Sequence, residues 1–182
     1  SDLSQVHGAE VVVAAPRASG ASRPQADGIV TDAEDVVLLV RAADCVPVLL
    51  ADHDAGVLGA AHAGRPGVEA GVVTATVAAM RDLGARQVTA WVGPHVCGAC
   101  YEVPRDLQQQ VAAAVPATLA TTSWGTPSLD LGAGVRAQLE AEDVTVVDVS
   151  ACTRESPDLY SYRRDGDRSG RLAGLIRTHA RD

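Results

Sequence analysis

The chain has 182 residues, 47% of them apolar and 21% charged, with 17 Gly, 9 Pro and 4 Cys, which suits one ordinary globular domain. Acidic residues outnumber basic ones 23 to 15, a formal charge of −8, so the concentrated basic face of a nucleic-acid binder is missing. Every basic residue is Arg, and without lysine a P-loop and a Schiff-base or pyridoxal enzyme are excluded. The best apolar stretch, 36–51, is broken by Arg41 and Asp44 and cannot span a bilayer. No signal segment opens the chain, which starts at Ser1 without Met. The cysteine usage does not resemble a disulfide scaffold, and a reducing cytoplasm is the expected compartment.

Along the chain, apolar runs predict strands over 10–14, 28–31, 36–41, 46–51, 57–62, 88–92, 144–149, 159–163 and 172–177. A stretch rich in Ala, Ser, Pro and Gly, 15–24, reads as a surface loop. Several strands are near-continuous Val/Leu runs, which points to a sheet covered on both faces. A helix is expected over 66–83, with Pro66 in its first turn and Gly84 just past its end. Its Val68, Val72, Val73, Val77 and Met80 keep a helical period. Further helices are expected over 105–115 and 135–142. Strands and helices alternate, so the fold class is α/β (α+β), a layered sandwich with a mixed, largely buried sheet and flanking helices.

The most informative segment is AADCVPVLLADHDAGVLGAAHAG, residues 42–64. Two apolar strands flank a polar turn, the signature of a hairpin. A four-residue loop over 52–55 pairs Ala51 with Gly56 and sets Cys45 directly opposite His62. Opposed side chains have Cβ atoms about 4.5–5.5 Å apart, close enough to share a metal ion or to form a nucleophile–base pair. Plain packing of a Cys beside a His is the competing explanation. His7 in SQVHG is a third potential ligand, although alone it reads as a loop residue. His7, Cys45 and His62 would make the three-ligand set of a zinc site that keeps a position open for chemistry. Ala63-Gly64-Arg65-Pro66-Gly67 then leads into the long helix. A helix start plus the Arg65 fork makes a candidate anion pocket. A tight strand-to-helix turn would require the same glycines.

SQVHG, ADGIVT, AADCVPVLLAD, AHAG-x-x-G, VGPHVCGACYEV, LDL, CT and YSYRRDG-x-x-SGR occur in an order that resembles the YfiH-like family. That family is also called laccase-domain, polyphenol-oxidase-like or peptidoglycan-editing-factor-like. The resemblance covers almost the whole chain. It implies a zinc-dependent purine nucleoside phosphorylase acting on adenosine, inosine, guanosine and methylthioadenosine with phosphate, with adenosine deaminase activity besides. It also implies that His7, Cys45 and His62 hold the metal, and a fold related to bacterial cysteine-deamidase toxins. The family reads HAGWRG where this chain reads HAGRPG, so the arginine moves one position and the tryptophan is lost. Family members carry a longer segment before QVHG, so residues 1–182 are expected to be one domain lacking that segment. With five His and no His-x-His pair, the chain cannot house a four-copper oxidase centre, although Cu²⁺ can enter the zinc site.

Cys97 and Cys100 form a Cys-x-x-Cys pair, but the YEVP after it reads as loop rather than the helix that redox chemistry needs. A structural zinc would need a further Cys or His pair, and Cys152 alone does not supply it. His95 is a candidate substrate contact. Asp44 is a second candidate, weighed against a role as a buried hydrogen-bond anchor. Arg164, in the YSYRRDG motif, is a third through the resemblance, with a solvated strand edge as the default. Catalysis is assigned to Cys45 and His62. Two other readings compete: a metal-free Cys–His amide hydrolase acting on a peptidoglycan precursor, and a partner-binding module without enzymatic activity.

Overall fold

The sheet grows outward from the apolar hairpin. β4 (Val46–Asp52) and β5 (Val57–Ala63) pair antiparallel. β2 (Gly28–Thr31) joins β5, and β6 (Thr89–Val92) joins β4, both antiparallel. β1 (Val11–Val13) and β9 (Thr145–Asp148) add parallel edges, giving a mixed sheet in the order β1-β2-β5-β4-β6-β9. This structure, a computed structural model, describes residues 1–14 and 22–178. Most of the expected loop over 15–24 therefore lies outside the described residues, as does His179.

Both faces of the sheet are covered, which is why its strands lack polar alternation. On one face Val46, Val48 and Leu50 of β4 pack with α2 (Val72–Asp82), α3 (Arg105–Ala114) and α4 (Leu131–Ala141) through Val73, Val77, Met80, Val111 and Val135. On the other, Ile29, Leu58 and Ala60 meet Leu38 and Val40 of β3 (Val37–Ala42), which pairs antiparallel with β10 (Leu172–Arg177). Each fully buried Val, Leu or Met contributes roughly 1.5–3 kcal/mol. Helices, sheet and ribbon form the expected layered α/β sandwich. Among the described residues no helix is long and apolar enough to cross a membrane.

Two expected elements differ in kind, and one small hairpin was not expected. The helix over 66–83 is two helices, α1 (Arg65–Ala70) and α2, because Gly71 takes a left-handed conformation (φ 80°) that ends the first. The strand over 159–163 is instead a turn entering α5 (Tyr162–Asp165). Here Ser161 accepts a hydrogen bond from the Arg164 N–H and caps the helix, while Arg163 N–H donates to Asp44 rather than to a sheet neighbour. Tyr160 and Tyr162 are exposed and Ser161 is buried, the reverse of a strand that buries its apolar face. The three-residue strands β7 (Leu119–Thr121) and β8 (Pro127–Leu129) form a small hairpin too short to leave a sequence pattern.

The β4–β5 turn also differs. Its four residues are 53–56, not 52–55, so Asp52 pairs with Val57 and Cys45 is not directly opposite His62. The buried Asp52 carboxylate is the cause. It accepts the N–H groups of Asp54 and Ala55 in the turn (both 3.0 Å) and of Arg86 and Gln87 before β6 (2.6 and 2.8 Å). Burial opposes its charge, but these four donors prevail and hold the carboxyl below its ordinary 3.8. Asp52→Asn should cost roughly 1–3 kcal/mol at neutral pH. A depressed folded pKa gives stabilisation that is complete above the ordinary value and lost as pH falls through the folded one. Urea midpoints of parent and variant should therefore converge in acid.

Candidate metal centre

Asp27 organises the site. It immediately precedes β2, and because Gly28 pairs with Ala61, Asp27 lies opposite His62 and accepts the His62 N–H on its carbonyl at 2.8 Å. The fully buried Asp27 carboxylate then divides its work. Oδ1 accepts from His62 Nδ1 at 2.7 Å, while Oδ2 accepts the backbone N–H groups of Gly8 (2.7 Å) and Val6 (3.1 Å). Those two bonds hold the loop carrying His7, itself at φ 62°. The Gln5 side chain ties the same loop to β3, donating to Arg41 O and accepting from Arg41 N.

Cys45 enters from the bend between β3 and β4, after Asp44 at φ 86°. The turn shift moves its partner from His62 to Gly64, two residues along and therefore on the same side of the sheet. Gly64 makes this possible. A Cβ there would lie 2.6 Å from His7 Cδ2 and 3.3 Å from Cys45 Sγ. The ligand atoms of His7, Cys45 and His62 lie within 4.8 Å of one another, with the two imidazole rings edge to face at 4.8 Å.

Burial acts against charge at both inner groups, yet their mutual contacts prevail. The Cys45 thiol is lowered to about 7 by His62 and His7, and His62 is raised to about 9 by Asp27 and Cys45. With Nδ1 bound to Asp27, His62 presents Nε2 to a ligand, the carboxylate–histidine arrangement that orients metal-binding imidazoles. Two imidazoles and a near-thiolate fit a divalent ion of the zinc or copper class with coordination positions to spare.

The centre lies in a cavity of about 870 Å³ whose wall includes Arg23, Arg41, Arg163, Arg171, Tyr101 and Tyr162. Arg163 stacks over Tyr101 at 4.1 Å and donates to Glu102 O. Arg171 donates to Ser169 O and Gly170 O, and Arg23 is paired with Asp2. Asp44 also lines the cavity, but its oxygens accept from Thr153 Oγ1 and Arg163 N, so it acts as a wall anchor.

Three expected substrate contacts are placed elsewhere. Arg65 is not on the cavity wall and pairs with Glu69 across one helical turn. His95 is buried off the cavity, its Nδ1 bonded to Gly93 O and its Nε2 against Gly132. Arg164 spreads over the carbonyls of Thr153, Ser156 and Leu159 and the Asp165 carboxylate, which locks a loop. Asp27, buried behind His62, and Arg41, Arg163 and Arg171, on the cavity wall, were not among the candidates. Arg163 lies within the YSYRRDG motif and Arg171 ends the SGR that follows it, the one signal in the sequence for either.

Fold and site together define a mixed α/β protein with a two-histidine, one-cysteine centre beneath an arginine-rich wall. Residues 2–179 match the family described as multi-copper polyphenol oxidoreductase laccase. The chain is 54% identical over 178 residues to a Streptomyces griseus protein named purine nucleoside phosphorylase ORF3, spanning 96% of this chain and 72% of that one. It is 52% identical to the Streptomyces coelicolor purine nucleoside phosphorylase SCO2081, spanning 96% and 73%. The crystal structure of Neisseria meningitidis protein NMB0706 superposes with a TM-score of 0.82 at 35% identity, covering 96% of this chain and 72% of that one. The chain belongs to this laccase-like YfiH/DUF152 family.

Two outcomes test the centre. Asp27→Ala should weaken Zn²⁺ affinity by about 10–100-fold in competition with a chromophoric chelator. In metal-stripped protein, iodoacetamide alkylation of Cys45 should rise through pH of about 7 rather than the ordinary 9.0, since the thiolate is the nucleophile. Added Zn²⁺ should suppress it, and His62→Ala should move the midpoint upward.

Proposed function

We propose that this chain is a zinc-dependent purine nucleoside phosphorylase that splits adenosine, inosine, guanosine and methylthioadenosine with inorganic phosphate, and that it also deaminates adenosine. The observation that carries this reading is one cavity combining the His7–Cys45–His62 group with guanidinium groups and tyrosine rings. The names of the Streptomyces relatives support the substrate class.

His7, Cys45 and His62 would hold the ion. When bound, Zn²⁺ supplies a Lewis acid and brings water toward ionisation near neutral pH, as deamination requires. Arg41, Arg163 and Arg171 each keep N–H donors beyond those used on carbonyls, and present them to a phosphate. Tyr101 and Tyr162 offer ring faces for a base or ribose. These groups orient the phosphate oxygen toward the anomeric carbon while the base departs, so the protein contributes positioning and charge stabilisation. Arg65, paired with Glu69 and not on the cavity wall, is given no part in this reading.

A second reading has its own observation. Asp27, His62 and Cys45 also form an orienter, base and nucleophile, the geometry of a metal-free amide hydrolase. Zinc content and substrate separate the two. Metal-replete protein with inosine and phosphate should release hypoxanthine, and Cys45→Ala should lower kcat by at least about 10³-fold. Arg163→Ala should raise KM for phosphate by about 10-fold, the loss of one charged contact. Absence of base release from every purine nucleoside, with amide hydrolysis by zinc-free protein, would establish the second reading instead.

A further inference from the structure

Cys97, Cys100, Cys152 and Glu155 come together away from the cavity, with one ligand atom of each within 4.8 Å of the others. Two tight turns present them. Cys97 O accepts the N–H groups of Cys100 and Tyr101 (3.0 Å each), and Cys152 O accepts that of Ser156 (3.0 Å). One turn is Cys-x-x-Cys and the other Cys-x-x-Glu, the short chelating spacing of structural zinc sites. Cys97 N–H donates to Cys152 Sγ at 3.5 Å, a contact that suits a thiolate, and Cys100 Sγ lies 3.3 Å from Glu155 Oε1. Bond lengths of about 2.3 Å to sulfur and 2.0–2.2 Å to oxygen give tetrahedral edges of about 3.8 Å between sulfurs and 3.5 Å between sulfur and oxygen. All four cysteines of the chain are free thiols.

The geometry points to a second metal site: a closed structural centre for Zn²⁺ made by Cys97, Cys100, Cys152 and Glu155. Four protein ligands leave no open position, so the ion stabilises rather than reacts. What it joins is specific. Tyr101, next to Cys100, and Arg163, whose backbone shares Asp44 with Thr153, both face the cavity. The segment between β9 and α5 contains no strand, and the ion would clamp it to the loop after β6. The site is independent of the function proposed above.

The test removes the first centre. A His7→Ala/Cys45→Ala/His62→Ala variant of the chain, prepared under reductant with Zn²⁺, should retain about one zinc per chain, and its Co²⁺ form should show a strong thiolate-to-cobalt charge-transfer band. Adding Cys152→Ser should abolish both. Glu155→Gln, at an exposed position where folding is safe, should release zinc to a chelator at least about 10-fold more readily than the parent triple variant, as loss of a ligand requires. A folded triple variant without zinc and without the cobalt band would overturn the site. So would unchanged zinc retention in Glu155→Gln, or a disulfide joining Cys97 to Cys100 or Cys152 in protein isolated without reductant.

Discussion

One buried carboxylate both orients a ligand of the candidate centre and holds the loop that carries another. Asp27 is fully enclosed, where an unpaired charge would be prohibitive, and it is tolerated because His62 and the N–H groups of Val6 and Gly8 surround it. Burial alone would raise its pKa; these donors lower it. The same bonds fix the His62 ring and fold the His7 loop inward. Orientation of one ligand and delivery of another thus draw on the same carboxylate.

The sequence made much of this legible, and the limits follow from physics. Continuous Val/Leu runs marked the strands, and β2 and β10 have the expected bounds. The hairpin juxtaposed Cys45 and His62 even though its register was misplaced. Asp52 drew the turn forward by one residue, which moves each partner by two and so preserves the face of the sheet. A displacement with the opposite parity would have separated the pair. Asp27 stayed hidden because its role depends on β2 pairing with β5, a contact between residues 35 apart that no local pattern encodes.

The misplaced candidates share a different cause. Arg65, His95 and Arg164 adjoin motif residues in the chain, and neighbourhood in sequence suggested neighbourhood in the pocket. Each side chain instead finds partners locally: Glu69 for Arg65, Gly93 O for His95, and a set of loop carbonyls for Arg164. A guanidinium that satisfies several carbonyls rigidifies irregular chain as effectively as a strand pairing would. Arg163 and Arg164 show how little separates the outcomes, since one turn of α5 sends the first to the cavity and the second to the loop.

The floor and wall of the cavity are therefore built on different principles. The floor rests on the sheet: His62 belongs to β5, Cys45 abuts β4, and Gly64 opposite Cys45 leaves room for the ligands. The wall is irregular chain held by side-chain bonds to carbonyls and by Asp44, with Tyr101 stacked on Arg163. Changes of sequence should reach ligand selection through the wall far more readily than they reach the centre. The HAGRPG departure illustrates the division. Arg65 pairs with Glu69 and is not on the cavity wall, whereas Tyr101 and Tyr162 are.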